Sequence, residues 1–319
     1  MKQIIEIKNL HVTFTSRDKP VAAVNDVSLQ VEQGSVLVLL GESGSGKSVT
    51  LRSLLRLHPE KSSTVTGQIV VDGLDIMALD QSEMSALRGK TISMIFQEPM
   101  LALDPVYTLG QQIIETILCH ERVSPLQARK RALELFERVQ IPSPEKRLDA
   151  YPHEMSGGMR QRAMIALALA CNPRILLADE PTTALDATVQ IQILLLLKQL
   201  QRELGLSIIL VTHDIGVAAE IADRIAVMYA GRIVETGSVK QVINNPCHPY
   251  TKGLLRSRVD RASKGERLAT ISGSPPDLAN LPQGCTFIPR CTLANANCSK
   301  TTHTLQTVTQ GHQAACLRL

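Results

Sequence analysis

The sequence predicts an α/β fold: a mixed, mainly parallel sheet, an antiparallel β-subdomain at the N-terminus, an inserted helical subdomain and a small C-terminal extension that carries cysteines. Three observations support this. Continuous apolar runs such as Val36–Leu40, Ile175–Asp179 and Ser207–Thr212 alternate with stretches of helical period, as buried parallel strands alternate with crossover helices. Residues 1–40 read as successive strands. From about Pro99 to Pro152 the pattern turns helical and more charged, an insertion between strands of the sheet.

Taken in order, the N-terminal strands are Ile4–Ile7, His11–Phe14, Asp26–Val31 and the buried run Val36–Leu40. Val49, Leu51, Leu54 and Leu55 then recur at helical spacing. Leu57–Thr66 reads as a polar connection, Gly67–Asp72 as a strand turning at Gly73, and Ile92–Phe96 as a buried strand ending on Gln97. The clearest helices of the insertion are Leu109–His120 and Ser124–Val139, the second opened by Ser124-Pro125 as cap and first residue. The alternation resumes with a helix at Gly158–Cys171, strand Ile175–Asp179, helix Asp186–Leu204 stopped by Gly205, strand Ser207–Thr212 and helix Ile215–Ile221. Ala230-Gly231 marks a hairpin between Arg224–Tyr229 and Arg232–Glu235. Beyond Gly237 the periodicity weakens, which divides the chain into a main domain, residues 1–244, with its helical subdomain at about 98–160, and an extension, residues 245–319.

Composition narrows the function classes. No apolar stretch of the 319 residues approaches the ~18–20 that a spanning helix needs, and Met1–Glu6 lacks the apolar core of a secretory signal, so a cytoplasmic location is expected. A net charge of +4 argues against a general nucleic-acid binder. From Gln241 onward nine Lys/Arg face three Asp/Glu; a basic tail of this kind is solvated surface or faces acidic lipid or a partner. Four of the seven cysteines fall at Cys285, Cys291, Cys298 and Cys316, which in a cytosolic protein favours metal ligation over disulfides.

Gly41-Glu42-Ser43-Gly44-Ser45-Gly46-Lys47-Ser48 fits the phosphate-loop pattern G-x-x-x-x-G-K-[ST] between a strand and a helix. Its glycines let backbone N–H groups curl toward phosphate oxygens, and the helix N-terminus that Val49 continues adds positive potential. Lys47 would reach the terminal phosphates and Ser48 would hold Mg²⁺, so the chain is expected to bind a nucleoside triphosphate. Kinases, GTPases, helicases and transport ATPases all remain open at this point. Ile175–Glu180 is an apolar strand delivering two acids at its C-terminal edge, where open α/β sheets place ligands. Asp179 would orient Mg²⁺ and Glu180 would polarise an attacking water. A solvated strand end is the plainer alternative for that pair.

Met155-Ser156-Gly157-Gly158-Met159-Arg160-Gln161-Arg162 resembles the signature motif of ATP-binding-cassette (ABC) ATPases, normally Leu-Ser-Gly-Gly-Gln, with methionine at its first and fifth positions. The resemblance covers residues 1 to about 240 and implies the ABC-type fold. It also implies roles for further positions: Phe14 against adenine, Gln97 sensing Mg²⁺, Ala184-Leu185-Asp186 in a dimer-contact loop, and His213 at the γ-phosphate. It implies further that Ser156, Gly157 and Gly158 contact ATP held by another subunit, so a second ATPase, copy or homologue, is required. Asn245-Pro246-Cys247-His248-Pro249-Tyr250-Thr251 and Gly284–Cys291 resemble the tail of oligopeptide/dipeptide importer ATPases, whose relatives include nickel and opine systems. The segment Gln97–Pro105 is similar to that subfamily's permease-facing loop, with Asp104 where Asn is common. The implied assembly adds two transmembrane permease subunits and an extracytoplasmic solute-binding protein, with this chain peripheral on the cytoplasmic side of the inner membrane and no nucleic acid.

The spacing of the four C-terminal cysteines is not the Cys-x₂-Cys of ordinary zinc ribbons. The resemblance implies an iron–sulfur cluster, four-iron four-sulfur, with zinc and a metal-free tail as alternatives. His303 and His312 are spare ligands in this reading, while Cys119, Cys171 and Cys247 are ordinary packing or surface residues. Non-transport cassette ATPases are the rival class. Those of DNA repair would need long coiled-coil or zinc-module insertions, and translation factors usually carry two cassettes.

Overall fold

The computed structural model describes residues 2–15, 19–183, 185–257, 270–300 and 304–318. Along the chain the elements begin with β1 (Gln3–Phe14), β2 (Val21–Glu32), β3 (Val36–Leu40), α1 (Lys47–Ser53), β4 (Ser63–Val71), β5 (Leu74–Asp75), α2 (Gln81–Leu87), β6 (Ile92–Ile95) and α3 (Pro99–Ala102). Then follow α4 (Leu109–His120), α5 (Pro125–Arg138), α6 (Pro144–Leu148), α7 (Gly157–Ala168), β7 (Ile175–Asp179), α8 (Ala187–Leu204) and β8 (Ser207–Thr212). The last are α9 (Ile215–Ile221), β9 (Arg224–Tyr229), β10 (Arg232–Ser238), α10 (Val239–Asn244), α11 (Pro249–Arg256), β11 (Gln306–Thr309) and β12 (His312–Ala314). They divide into two compact units, one made of Met1–Lys2, Glu32–Ser35 and Ala78–Leu210, the other of Gln3–Val31, Val36–Met77 and Val211–Leu319.

The unit centred on Ala78–Leu210 holds the helical insertion and the parallel pair β6–β7. The longer helices of this unit start where short polar side chains satisfy free N–H groups of the first turn. Thr108 and Gln111 form a capping box on α4, Ser124 and Gln127 another on α5, and Asp186 accepts from Val189 N–H at the head of α8. Gly205 ends α8 at a φ of 64°, a left-handed turn that glycine takes without strain. The apolar stripes follow the helical period: Leu109, Ile113 and Ile117 of α4 are buried with Ala128, Ala132, Leu135 and Phe136 of α5. Every residue of β7 is buried, as expected of a strand covered on both faces.

The other unit contains a sheet in the order β2-β1-β4-β5, antiparallel at β1–β4 and β4–β5, and strands ordered β11-β12-β10-β9-β3 in which β3 runs parallel to β9 and the rest are antiparallel. Several local readings of the sequence change, among them the start of β2 at Val21 rather than Asp26. The two N-terminal strands are one, β1, because the register shift between Lys8 and His11, with Asn9 at a φ of 48°, interrupts the alternation without breaking the pairing with β4. Ser63–Thr66, read as loop, belongs to β4; its residues are exposed or half-buried and three of the four are polar, which leaves little apolar signal. β6 stops at Ile95, and Phe96 is exposed. Late in the chain, β12 pairs with β10 and so adds a hairpin to this sheet where no strand was expected.

Phe136 is fully buried among the helices of the insertion. Phe136→Ala is expected to lower unfolding free energy by about 3–5 kcal/mol, read from the shift of the urea midpoint at unchanged slope.

Candidate functional site

Strand β3 ends at Leu40 and α1 begins at Lys47, leaving Gly41–Gly46 as the turn between them. Gly44 and Gly46 are left-handed, at φ 77° and 102°, and a Cβ on Gly46 would lie 2.5 Å from the Ala23 carbonyl oxygen. Only glycine meets both conditions there, and alternating backbone handedness of this kind turns N–H groups toward a common anion. Lys47 is buried, with Nζ donating to the carbonyls of Gly41 and Glu42 at 2.8 Å each, so its charge is carried on the loop itself. Ser43 and Gly44 are exposed at the loop's tip, while Ser45 is buried and Ser48 and Val49 are half-buried. In the same unit Phe14, half-buried, meets His58 edge-on at 5.5 Å between ring centres. Burial holds the His58 imidazole below its usual pKa. His213 is exposed just after β8, and the next residue, Asp214, caps α9 by accepting from Gly216 N–H.

The acidic strand end lies in the other unit. Asp179, the last residue of β7, is fully buried, and Glu180 follows with a left-handed φ of 46°. That conformation costs a non-glycine residue roughly 1–3 kcal/mol and is characteristic of functional positions. Thr183 Oγ1 donates to Glu180 Oε2 at 2.8 Å and orients the carboxylate. Gln97 is exposed after β6. Ser156 caps α7, its hydroxyl accepting from Met159 N–H, with Met155 buried behind it and Gly157 and Gly158 in the first turn. Asp186 has the capping role already described, and Ala184 of the expected contact loop lies outside the described residues.

The four late cysteines come together. Cys285, Cys291, Cys298 and Cys316 all line one small cavity with His248, Arg318 and apolar residues that include Phe287. Burial pushes the thiols of Cys285 and Cys291 up, and the neighbouring cysteines add to the effect. Four cysteines on one cavity form an all-thiol donor set of the kind that iron–sulfur clusters and structural zinc use. His303 lies outside the described residues, and His312 is already engaged: its Nε2 meets Glu235 Oε1 at 2.8 Å. Glu235, fully buried, also accepts from the N–H groups of Cys247 and His248 at 2.8 Å, so one carboxylate ties β10, the segment before α11 and β12 together. Cys171 is buried, Cys119 exposed and Cys247 half-buried.

Four residues to which the sequence gave no role at the phosphate loop, Arg290, Tyr250, Tyr229 and Phe287, gather beside it. Arg290 Nη1 and Nη2 grip the two carboxylate oxygens of Glu42 at 2.6 and 2.9 Å, and Tyr250 Oη accepts from Glu42 N–H at 2.8 Å. Tyr229, Tyr250 and Phe287 pack ring on ring beneath them, with centres 4.6–5.5 Å apart. Residues 248 positions apart leave no local pattern for such a pair; the only hint was an arginine beside a clustered cysteine.

A buried strand, a glycine turn with its lysine and a following helix define a phosphate-loop nucleotide-binding protein. Residues 24–183 match the family described as ABC transporter, and residues 234–298 match the oligopeptide/dipeptide transporter C-terminal region. A protein of Brucella melitensis biotype 1, provisionally named a peptide import ATP-binding protein, is 50% identical over 327 residues, covering 99% of this chain and 97% of the relative. A second B. melitensis protein with the same provisional name is 48% identical over 313 residues, 98% of this chain and 94% of the relative. Among solved structures, the ATP-binding cassette MJ0796, a dimer in a post-hydrolysis state bound to ADP and Pi, is 32% identical with a TM-score of 0.66 over 74% of this chain and 98% of that one. The cbiO1 protein of Clostridium perfringens, part of the transporter complex cbiONQ, is 27% identical with a TM-score of 0.66 over 77% of this chain and 92% of its own. The chain belongs to the ABC transporter family and is an ABC-type ATPase with an oligopeptide/dipeptide-transporter C-terminal region.

Removing Glu235 would leave the buried His248 N–H, the part-buried Cys247 N–H and the buried His312 imidazole without their partner. Glu235→Ala is expected to destabilise the protein by about 3–5 kcal/mol and to open the C-terminal hairpin, seen as faster amide exchange at His312 and Ala314.

Proposed function

We propose that this chain is the ATP-hydrolysing subunit of an importer for peptides or a related small solute. It would work on the cytoplasmic face of the inner membrane beside two permease subunits and a second ATPase, fed by an extracytoplasmic binding protein. The observation that carries the reading is one chain holding both a phosphate loop and an oligopeptide/dipeptide-transporter C-terminal region. Two further features support it. Phe96, Met100, Leu101, Val106 and Tyr107 expose a run of large apolar side chains around α3, suited to docking on a permease. Among the described residues no helix is long and apolar enough to cross a membrane, and the reading assigns the path through it to the permease subunits.

In this mechanism ATP phosphates sit in the turn Gly41–Ser48, with Lys47 neutralising charge and Phe14 against the base. Ser48, Asp179 and Gln97 would hold Mg²⁺, which supplies charge neutralisation at the phosphates. Glu180, oriented by Thr183, takes a proton from water as its oxygen forms a bond to the γ-phosphorus and the bridge to ADP breaks. His213 steadies the γ-phosphate. Ser156, Gly157 and Gly158 of a second subunit complete the site, with Asp186 at the dimer contact, so closure and reopening of the pair form the mechanical output. The four cysteines would hold an iron–sulfur cluster. Bound there, it supplies cross-links that a segment too small for a large apolar core lacks.

Glu180→Gln is expected to lower turnover by at least about a hundredfold while leaving nucleotide binding intact, and to trap an ATP-bound dimer visible by size exclusion. Near-normal hydrolysis would remove Glu180 from the mechanism. For the cysteines, anaerobically purified protein is expected to show broad absorbance near ~400 nm with stoichiometric iron and sulfide. Zinc in place of iron, or no metal, would overturn the cluster.

A further inference from the structure

Glu42 occupies the first variable position of the phosphate loop, and each of its polar groups is engaged. Its carbonyl accepts from Lys47 Nζ at 2.8 Å. Its N–H donates to Tyr250 Oη at 2.8 Å, and its carboxylate takes both arms of the Arg290 guanidinium at 2.6 and 2.9 Å. Arg290 comes from the cysteine segment, Tyr250 from α11, and the loop from the other end of the chain. The Arg290 side chain is 3% exposed, and Nε donates to the Ser272 carbonyl at 3.1 Å. Its cationic carbon lies 5.8 Å from the centre of the Tyr229 ring. Tyr229 in turn packs on Tyr250 and Phe287, so the fork is fixed in direction before it meets the loop.

A bidentate arginine–carboxylate pair specifies geometry as well as energy. Here it acts on the residue whose carbonyl helps seat the phosphate-binding lysine. The amide of that residue is committed to a tyrosine hydroxyl, which sets the plane of the Glu42 peptide where the turn begins. Nothing in the loop itself supplies these restraints, since the residues around it are serine and glycine.

We propose that Arg290 and Tyr250 of the C-terminal region are positioning residues for nucleotide binding: by clamping Glu42 they hold the phosphate loop and Lys47 in the ATP-receiving arrangement. The C-terminal region is thereby part of the ATPase's binding machinery rather than an independent appendage. The inference rests on the reading of Gly41–Ser48 as the nucleotide site.

The test uses the full-length chain and ATP itself, with affinity from titration calorimetry and KM and kcat from phosphate release. Arg290→Met is expected to raise Kd and KM for ATP about tenfold, about 1.4 kcal/mol, with kcat within about twofold. Arg290→Lys is expected to recover part of the loss, because an ammonium keeps the charge without the fork. Tyr250→Phe is expected to weaken binding in the same direction. Glu42→Gln should match Arg290→Met, and the double variant should be no weaker than either single one, since both break the same pair. Lys47→Ala separates the two claims. Wild-type affinity in Lys47→Ala would sink the nucleotide-site reading. Lys47-dependent binding that is unchanged in Arg290→Met, or losses that add in the double variant, would overturn the positioning role alone. Should Arg290→Met prove unfolded by thermal melting, Arg290→Lys and Glu42→Gln decide, and wild-type affinity in both would overturn the proposal.

Discussion

A phosphate-binding turn is backbone whose amides are kept available for a ligand, so its shape must be imposed by its surroundings. That constraint organises the unit containing β3 and α1. Glycine at position 46 admits the close approach of the Ala23 carbonyl, and the helix takes over immediately at Lys47. The lysine is buried and bridged to two loop carbonyls, which avoids an unpaired charge under the turn. Glu42 then transmits restraint from Tyr250 and Arg290 into the same few residues.

The C-terminal region shows how a segment of weak periodicity becomes ordered. Tyr250 and Phe287 join Tyr229 in a ring cluster drawn from only eight Phe and Tyr in the whole chain. Full burial of each such ring is worth about 1.5–3 kcal/mol. Polar groups complete the attachment. Glu235 accepts from Cys247, His248 and His312, which pins β12 to β10 and carries Cys316, just beyond β12, to the cavity shared with the other three cysteines. The buried carboxylate is tolerated because its hydrogen bonds replace water.

Helix α4, the strands β7, β8 and β9, and the short helix α9 have the bounds expected from the chain, because capping residues or continuous apolar runs mark their ends. Helix α2 went unread even though Asp80 and Glu83 form a capping box, since only Met84 and Leu87 of its short length are buried. Ser63–Thr66 and the hairpin β11–β12 were invisible for a related reason. Ser63–Thr66 and β11 are half-buried or exposed, β12 is only three residues long although His312 and Ala314 are buried, and pairing with β1, β10 or each other makes them strands. The candidate site residues divide in the same way. Gly41–Ser48, Ser156–Gly158 and Asp179-Glu180 are contiguous and readable, whereas Arg290 and Tyr250 meet Glu42 only after the chain has folded.

By itself the sequence determined the α/β class, the phosphate loop and the signature helix, because each is a local pattern whose chemistry needs neighbouring residues in fixed order. It also placed the cysteines in one segment. Tertiary structure decided what that segment does to the rest: a cavity shared by four thiols, a buried carboxylate that fastens the hairpin, and a guanidinium aimed at the nucleotide loop. These depend on groups far apart in the chain becoming neighbours in a desolvated space, where an unpaired charge is costly and a paired one is directional. No local spacing encodes such a meeting.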